Sequence, residues 1–318
     1  MSRESDIPIF HAPEKCIRTK KQMNLFSGSE SERRFVHFIQ ELNTSVIGTK
    51  NGNIHVTTKS IQALLDILNQ LEIWVSEISP TTSVTRYGNV AFRSWLAHLE
   101  KNSNVHYSLH RCRYTIERIY AGMKLIRNQD AKVELIPYIL QSFGDPSRID
   151  YGTGHELNFV ALMYCLYSLG IFVKDDFSSL VNFVFKEYVK LVRKLQRVYR
   201  LEPAGSRGVW GLDDYTFLSF YWGAAQLVGH FSPNSVRDEK ILKENSDDFL
   251  YFSSIKYIKE MKSGPLSETA PILYDISFLP TWKKINSGLL KMFKAECLGN
   301  FLVMQHFLFG SIITLEPK

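Results

Sequence analysis

The sequence predicts an all-α protein whose helices pack on a shared core. Apolar residues recur at three- and four-residue spacing through most of the chain, and runs of alternating β-branched residues are nearly absent. No repeat of fixed period appears, which argues against a solenoid, and the missing strand pattern argues against a doubly wound sheet. With 318 residues the chain can bury a large core, and 45% hydrophobic content rules out wholesale disorder.

Taken in order, residues 1–28 carry Pro8, Pro13 and Gly28 without a sustained period and read as a flexible arm. Residues 29–318 read as one helical domain. Ser31-Glu32 precedes helical spacing at Phe35, Phe38, Ile39, Leu42 and Val46. Thr57-Thr58 can cap a second helix with Ile61, Leu64, Leu68, Leu71 and Val75 on one face, ended before Pro80. A third helix begins near Asn89. The basic segment 102–132 follows, then a short helix over Pro137–Phe143 that stops at Gly144-Asp145-Pro146. Tyr151-Gly152-Thr153-Gly154 makes a tight loop before a long apolar helix from His155 to about Leu169. Asp175 or Asp176 can cap the next one, which runs to Val198. Further helices are expected near 214–228, 247–261 and 281–296.

The formal charge of +6 is spread along the chain, and no basic stretch interleaves with aromatics as a nucleic-acid platform requires. The most apolar stretch, Leu157–Val173, is short for a membrane span and holds Asn158, Ser168 and Gly170, so it reads as a buried helix. Neither a nucleic acid nor a membrane is an expected partner. Cys16, Cys112, Cys165 and Cys297 are scattered, and no secretory signal is visible. The expected location is cytoplasmic, with a nuclear pool left open.

Motif chemistry is excluded more easily than found. His155-Glu156 is half a zincin signature, but Phe159 stands where the second histidine belongs. No Walker sequence is present, and Gly152-Thr153-Gly154 follows no predicted strand. A Gly-Thr-Gly opening a helix does present free N–H groups and a positive dipole end, with Arg148 just upstream. That place can hold phosphate; the plainer reading makes Thr153 a helix cap. The stretch Gly205–Asp214 holds three glycines around Trp210, followed by the carboxylates of Asp213 and Asp214, which can hold Mg²⁺. Here the plainer reading makes Asp213 the cap of the next helix, but three glycines around a tryptophan exceed what a cap requires.

Several strings resemble the phosphotyrosyl phosphatase activator family: Arg86–Arg93, Arg148–Glu156, Glu202–Asp214, and a run from Pro280-Thr281-Trp282 through Lys294-Ala295-Glu296-Cys297 to Phe309-Gly310-Ser311. The resemblance implies an all-α fold with core, linker and lid regions around a cleft. It further implies activation of the catalytic subunit of a type-2A or type-2A-like phosphatase, dependence on ATP and Mg²⁺, and prolyl cis-trans isomerase activity on a proline-containing peptide. Arg148, Thr153 and Gly154 match the family's nucleotide loop, with Phe307 near its C-terminal side. Gly208, through its backbone carbonyl, and Asp214 match the magnesium-linked stretch. Trp210, Gly211 and Asp213 are expected to line the peptide cleft. A stand-alone prolyl isomerase or a helical binding module is the alternative, and whether peptide induces a dimer stays open. The chain departs from the family at 102–132, where Arg111, Arg113, Arg118, Lys124 and Arg127 replace an acidic, proline-bearing stretch.

Overall fold

In the computed structural model, which describes residues 10–52, 58–82, 87–103 and 131–315, helices account for nearly all the regular structure of those residues. The expectations for Thr57, Arg86 and the basic residues between 104 and 130 lie outside them. The chain enters through α1 (Lys20–Phe26) and α2 (Glu30–Ser45). Residues 10–28, expected as a flexible arm, are instead docked. Glu14 and Phe309 exchange two backbone hydrogen bonds at 2.9 Å, while Ile17 and Phe26 are buried. The sequence pattern misses this because the partner, the Phe307–Phe309 segment, lies at the other end of the chain. Helix α2 starts two residues earlier than expected, since Ser29 accepts the N–H of Glu32 and the Glu32 side chain accepts that of Gly28.

Thr58 caps α3 (Lys59–Glu77), and Asn89 accepts the Ala91 N–H at the start of α4 (Ala91–Ser103). Helix α5 spans Lys132–Leu140 and carries Pro137 inside it, where the sequence reading began the helix. In so short a helix the ring removes one rung of hydrogen bonding, and burial of Leu135, Tyr138 and Ile139 offsets the loss.

The central helix is α6 (Thr153–Ser168), with every residue from His155 to Leu166 buried. Asp176, rather than Asp175, ties the following entry: its carboxylate accepts the Val173 N–H and the Thr58 hydroxyl. A π-helical stretch at Leu180–Phe185 leads into α7 (Lys186–Tyr199). This helix is sharply two-faced, with Tyr188, Leu191, Val192 and Leu195 inward and Lys190 and Arg197 exposed on the opposite face. Helix α8 (Leu218–Gln226) is buried throughout and packs against α10 (Leu250–Met261) and α13 (Trp282–Phe293). Between them run α9 (Glu239–Asn245), α11 (Leu266–Thr269) and α12 (Pro271–Ile276); α14 (Phe301–Met304) follows a π turn at Lys294–Leu298. None of the described helices is long and apolar enough to cross a membrane.

Candidate functional site

Two very short strands assemble the site. β1 (Asp150–Tyr151) and β2 (Glu202–Pro203) pair in parallel, with Asp150 opposite Glu202. The ladder extends beyond them: Glu202 donates to the Ile149 carbonyl at 3.0 Å and Ala204 to that of Tyr151 at 2.8 Å. Strands of two residues do not form by propensity. This pair is held because Tyr151 is fully buried and its hydroxyl meets that of Tyr188 at 2.8 Å. The loop entering α6 is thereby clamped against the loop leaving β2.

Between these loops and the segment Met292–Val303 lies a cavity of about 50 Å³, lined by Thr153, Gly211, Asp213 and Asp214 together with Arg207 and Glu296. Thr153 is the first residue of α6, not its cap. The cap position belongs to Gly152, whose backbone is extended and which offers no side chain. The Thr153 side chain lies instead against Cys297. The first-turn N–H groups of Thr153 and Gly154 therefore have no partner among the described residues. Gly154 is half-buried, and a methyl group added there would sit 3.7 Å from Val303 Cγ1.

Arg148 stands outside the cavity and is already engaged. Its guanidinium meets Asp150 at 2.6 Å and Asp145 at 3.3 Å. Burial works against ionisation of Asp150, but the nearby His155 ring and the Arg148 guanidinium outweigh it and hold the carboxyl below its ordinary range. A phosphate reaching Arg148 competes with both carboxylates. His306 is held below its usual value by burial and by the charges of Arg148, Lys15 and His155. Phe307 is 1% exposed, its ring packed among Phe26, Phe35, Tyr138 and Phe309. Its side chain belongs to the core, which leaves only its backbone to meet a ligand.

On the second loop, Gly208 is in the left-handed region at φ +58° and its carbonyl accepts the Gly211 N–H at 3.1 Å. Asp214 accepts the Ser206 hydroxyl and forms an ion pair with Lys262 at 2.6 Å. No group of three or more metal-ligating His, Cys, Asp or Glu side chains occurs among the described residues. A Mg²⁺ here would therefore draw most of its ligands from phosphate and water, which is its habit in nucleotide sites. Trp210 is 81% exposed at the tip of the loop.

Asp213 does not cap α8. Its Oδ2 accepts the N–H groups of Tyr215 at 3.2 Å and Thr216 at 2.9 Å, closing a turn, and burial pushes its carboxyl above the ordinary value. The start of α8 is capped from another helix. Glu156 accepts the N–H of Phe217 at 2.8 Å and that of Leu218 at 3.1 Å, and burial pushes its carboxyl up to about 8. The sequence reading misses Glu156, Lys262 and the Arg207–Glu296 ion pair across the mouth. Only Glu156 left a signal: a carboxylate inside an otherwise apolar helix must find a donor.

The profile of the family described as phosphotyrosyl phosphate activator (PTPA) protein matches residues 13–315. A Schizosaccharomyces pombe protein named serine/threonine-protein phosphatase 2A activator 1 is 38% identical over 97% of this chain and 92% of its own. A Dictyostelium discoideum protein named probable serine/threonine-protein phosphatase 2A activator 1 is 36% identical over 96% of this chain and 91% of its own. Among solved structures, that of the PP2A phosphatase activator Ypa1 PTPA1 superposes with a TM-score of 0.85 at 30% identity, covering 99% of this chain and 98% of the other. The helical fold, the strings of the two clamped loops and the match along the described chain agree: the chain belongs to the phosphotyrosyl phosphate activator family.

Proposed function

We propose that the protein activates the catalytic subunit of a type-2A serine/threonine phosphatase, with help from ATP and Mg²⁺, and isomerises X–Pro bonds. The activator role is carried by similarity over nearly the whole chain to relatives named for it. The exposed Trp210 beside this cavity supports a partner-facing surface, since tryptophan is enriched at protein contact sites.

In this reading the uncapped start of α6 supplies N–H groups of Thr153 and Gly154 to phosphate, and the helix dipole favours the anion. Arg148 adds charge from one side. Asp214, now paired with Lys262, and the Gly208 carbonyl are the groups that would hold Mg²⁺ here. The metal would offset phosphate charge.

For the isomerase step the barrier is amide resonance, roughly 18–20 kcal/mol. Trp210 gives proline an apolar wall, and Gly211 lets the peptide backbone approach. Asp213 fixes the turn that carries them through its bonds to Tyr215 and Thr216. No covalent intermediate is required. We extend the reading to a cytoplasmic and nuclear protein; the free thiols of Cys16, Cys165 and Cys297 fit a reducing compartment.

The test is capture of purified type-2A catalytic subunit by the full chain, followed by phosphatase assay with and without ATP and Mg²⁺. Stoichiometric capture with ATP-dependent activation is expected, and Arg148→Ala and Asp214→Ala should each weaken the ATP-dependent part about tenfold. Intact prolyl isomerisation without capture would replace the reading by a stand-alone isomerase.

A further inference from the structure

A second cavity, of about 460 Å³, lies between α3, α7 and α10 and shares no lining residue with the first. Its size falls within the roughly 300–1,000 Å³ of small-molecule sites. Six cations line it: Lys186, Lys190, Arg193, Lys194, Arg197 and Lys256. Three carboxylates face them. Glu72 is shared between Lys190 at 3.2 Å and Lys194 at 3.4 Å, and Glu260 pairs with Arg197. Asp247 forms no ion pair among the described residues. Glu187 of α7 also pairs with Lys190 at 3.3 Å, so six cations face four carboxylates and two positive charges are in surplus.

Arg193 makes the surplus significant. Its two terminal nitrogens donate to the hydroxyls of Ser253 and Ser254, each at 2.7 Å, and the guanidinium lies 4.9 Å from the centre of the Tyr257 ring. Its Nε is shut from solvent, and among the described residues it has no hydrogen-bond partner and no carboxylate forms an ion pair with the guanidinium. Burial holds it down to about 10, opposed by the field of Asp213. A desolvated cation with only neutral contacts is costly in a folded protein unless an anion completes it. Lys186 and Lys256 likewise form no ion pair among the described residues; Lys256 donates to the Ser246 hydroxyl at 3.3 Å. Fixed hydroxyls among three cations that form no ion pair with the described residues suit a compact, multiply charged anion.

We propose that this cavity binds a small phosphate-bearing polyanion, held by Arg193, Lys186 and Lys256. The ligand is a soluble phosphate ester or the phosphorylated headgroup of a lipid, which share this chemistry. The site is separate from the proposed nucleotide loop, of which Thr153 lines the first cavity.

Calorimetric titration of the full chain with sodium tripolyphosphate tests it. Saturable binding is expected, with one component that the Lys186→Ala/Lys256→Ala double variant weakens at least tenfold and that Arg148→Ala leaves in place. Both lysines reach solvent, so the double variant should keep its helical circular dichroism. Arg193→Lys, which keeps the charge but loses the planar fork, should fall between wild type and the double variant. Co-sedimentation with phosphatidylcholine vesicles, with and without a bisphosphorylated phosphoinositide, separates the two sources: binding confined to the doped vesicles, and lost in the double variant, assigns the lipid headgroup. Absence of saturable binding in both arms overturns the proposal. So does binding abolished by Arg148→Ala and untouched by the double variant, because the anion would then occupy only the first site.

Discussion

The loop entering α6 and the loop leaving β2 both carry glycines, and the two use them for different ends. At Gly152 the backbone is extended, and a Cβ would stand 2.7 Å from the Ala204 carbonyl; glycine is there because the two loops touch. Among the described residues nothing lies within 4 Å of the Cβ position of Gly208, and its left-handed φ of +58° is what asks for glycine. The first loop carries the buried Asp150 and Tyr151, whereas the second ends on the exposed Trp210. One loop is a clamp and the other is a presented surface. Glycine content alone does not separate these roles; what surrounds each glycine does.

Substitutions can break that contrast. Gly152→Ala should cost about 3 kcal/mol, because the obstacle is backbone on a packed loop and cannot rotate away. Chemical denaturation would show it, and wild-type stability would mean that the loops are not clamped there. A second test addresses the anchor beneath the clamp. Glu156 has its folded-state pKa raised to about 8 from an ordinary 4.5, so the folded state holds a proton that the unfolded state has released between those values. Its contribution is full below about pH 4.5 and is lost as pH rises toward 8, so stability should fall over that window by on the order of a few kcal/mol. Glu156→Gln should flatten the dependence; an unchanged slope in denaturation midpoints against pH would discard the assignment.

On the presented loop the expectations reverse. Trp210→Ala should leave stability within about 0.5 kcal/mol of wild type, since the ring is largely in solvent, while phosphatase activation and prolyl turnover drop about tenfold. A variant that unfolds would show the ring to be structural. The smallest effect belongs to Gly208→Ala, where strain from the left-handed backbone alone should cost about 1 kcal/mol. A loss matching that of Gly152→Ala would mean that the second loop is packed as tightly as the first.

Much of the fold is legible from spacing. The faces of α2, α3, α4 and α7 follow the apolar period, and Thr58 and Asn89 cap where short polar side chains precede it. The shorter helices α9, α11, α12 and α14 carry too few turns to establish a period, and the docked N-terminal segment has none. At the site, the Gly-Thr-Gly opening of α6 and the cluster around Trp210 stand out as sequence. Their capping does not: Thr153 and Asp213 are the side chains local rules select, whereas the structure leaves α6 uncapped and caps α8 with Glu156.

By itself the sequence determined the helical class, the long helices and the two loops that differ from ordinary connections, because periodicity and turn chemistry act over a few residues. Tertiary structure alone decided that those loops meet through β1 and β2, that Phe307 belongs to the core, and that Asp214 already holds Lys262. It also gathered the cations of α7 with Lys256 of α10 into one cavity. These outcomes depend on which side chains arrive together from distant parts of the chain, and the energy of a buried charge or hydrogen bond is set by that company rather than by sequence neighbours.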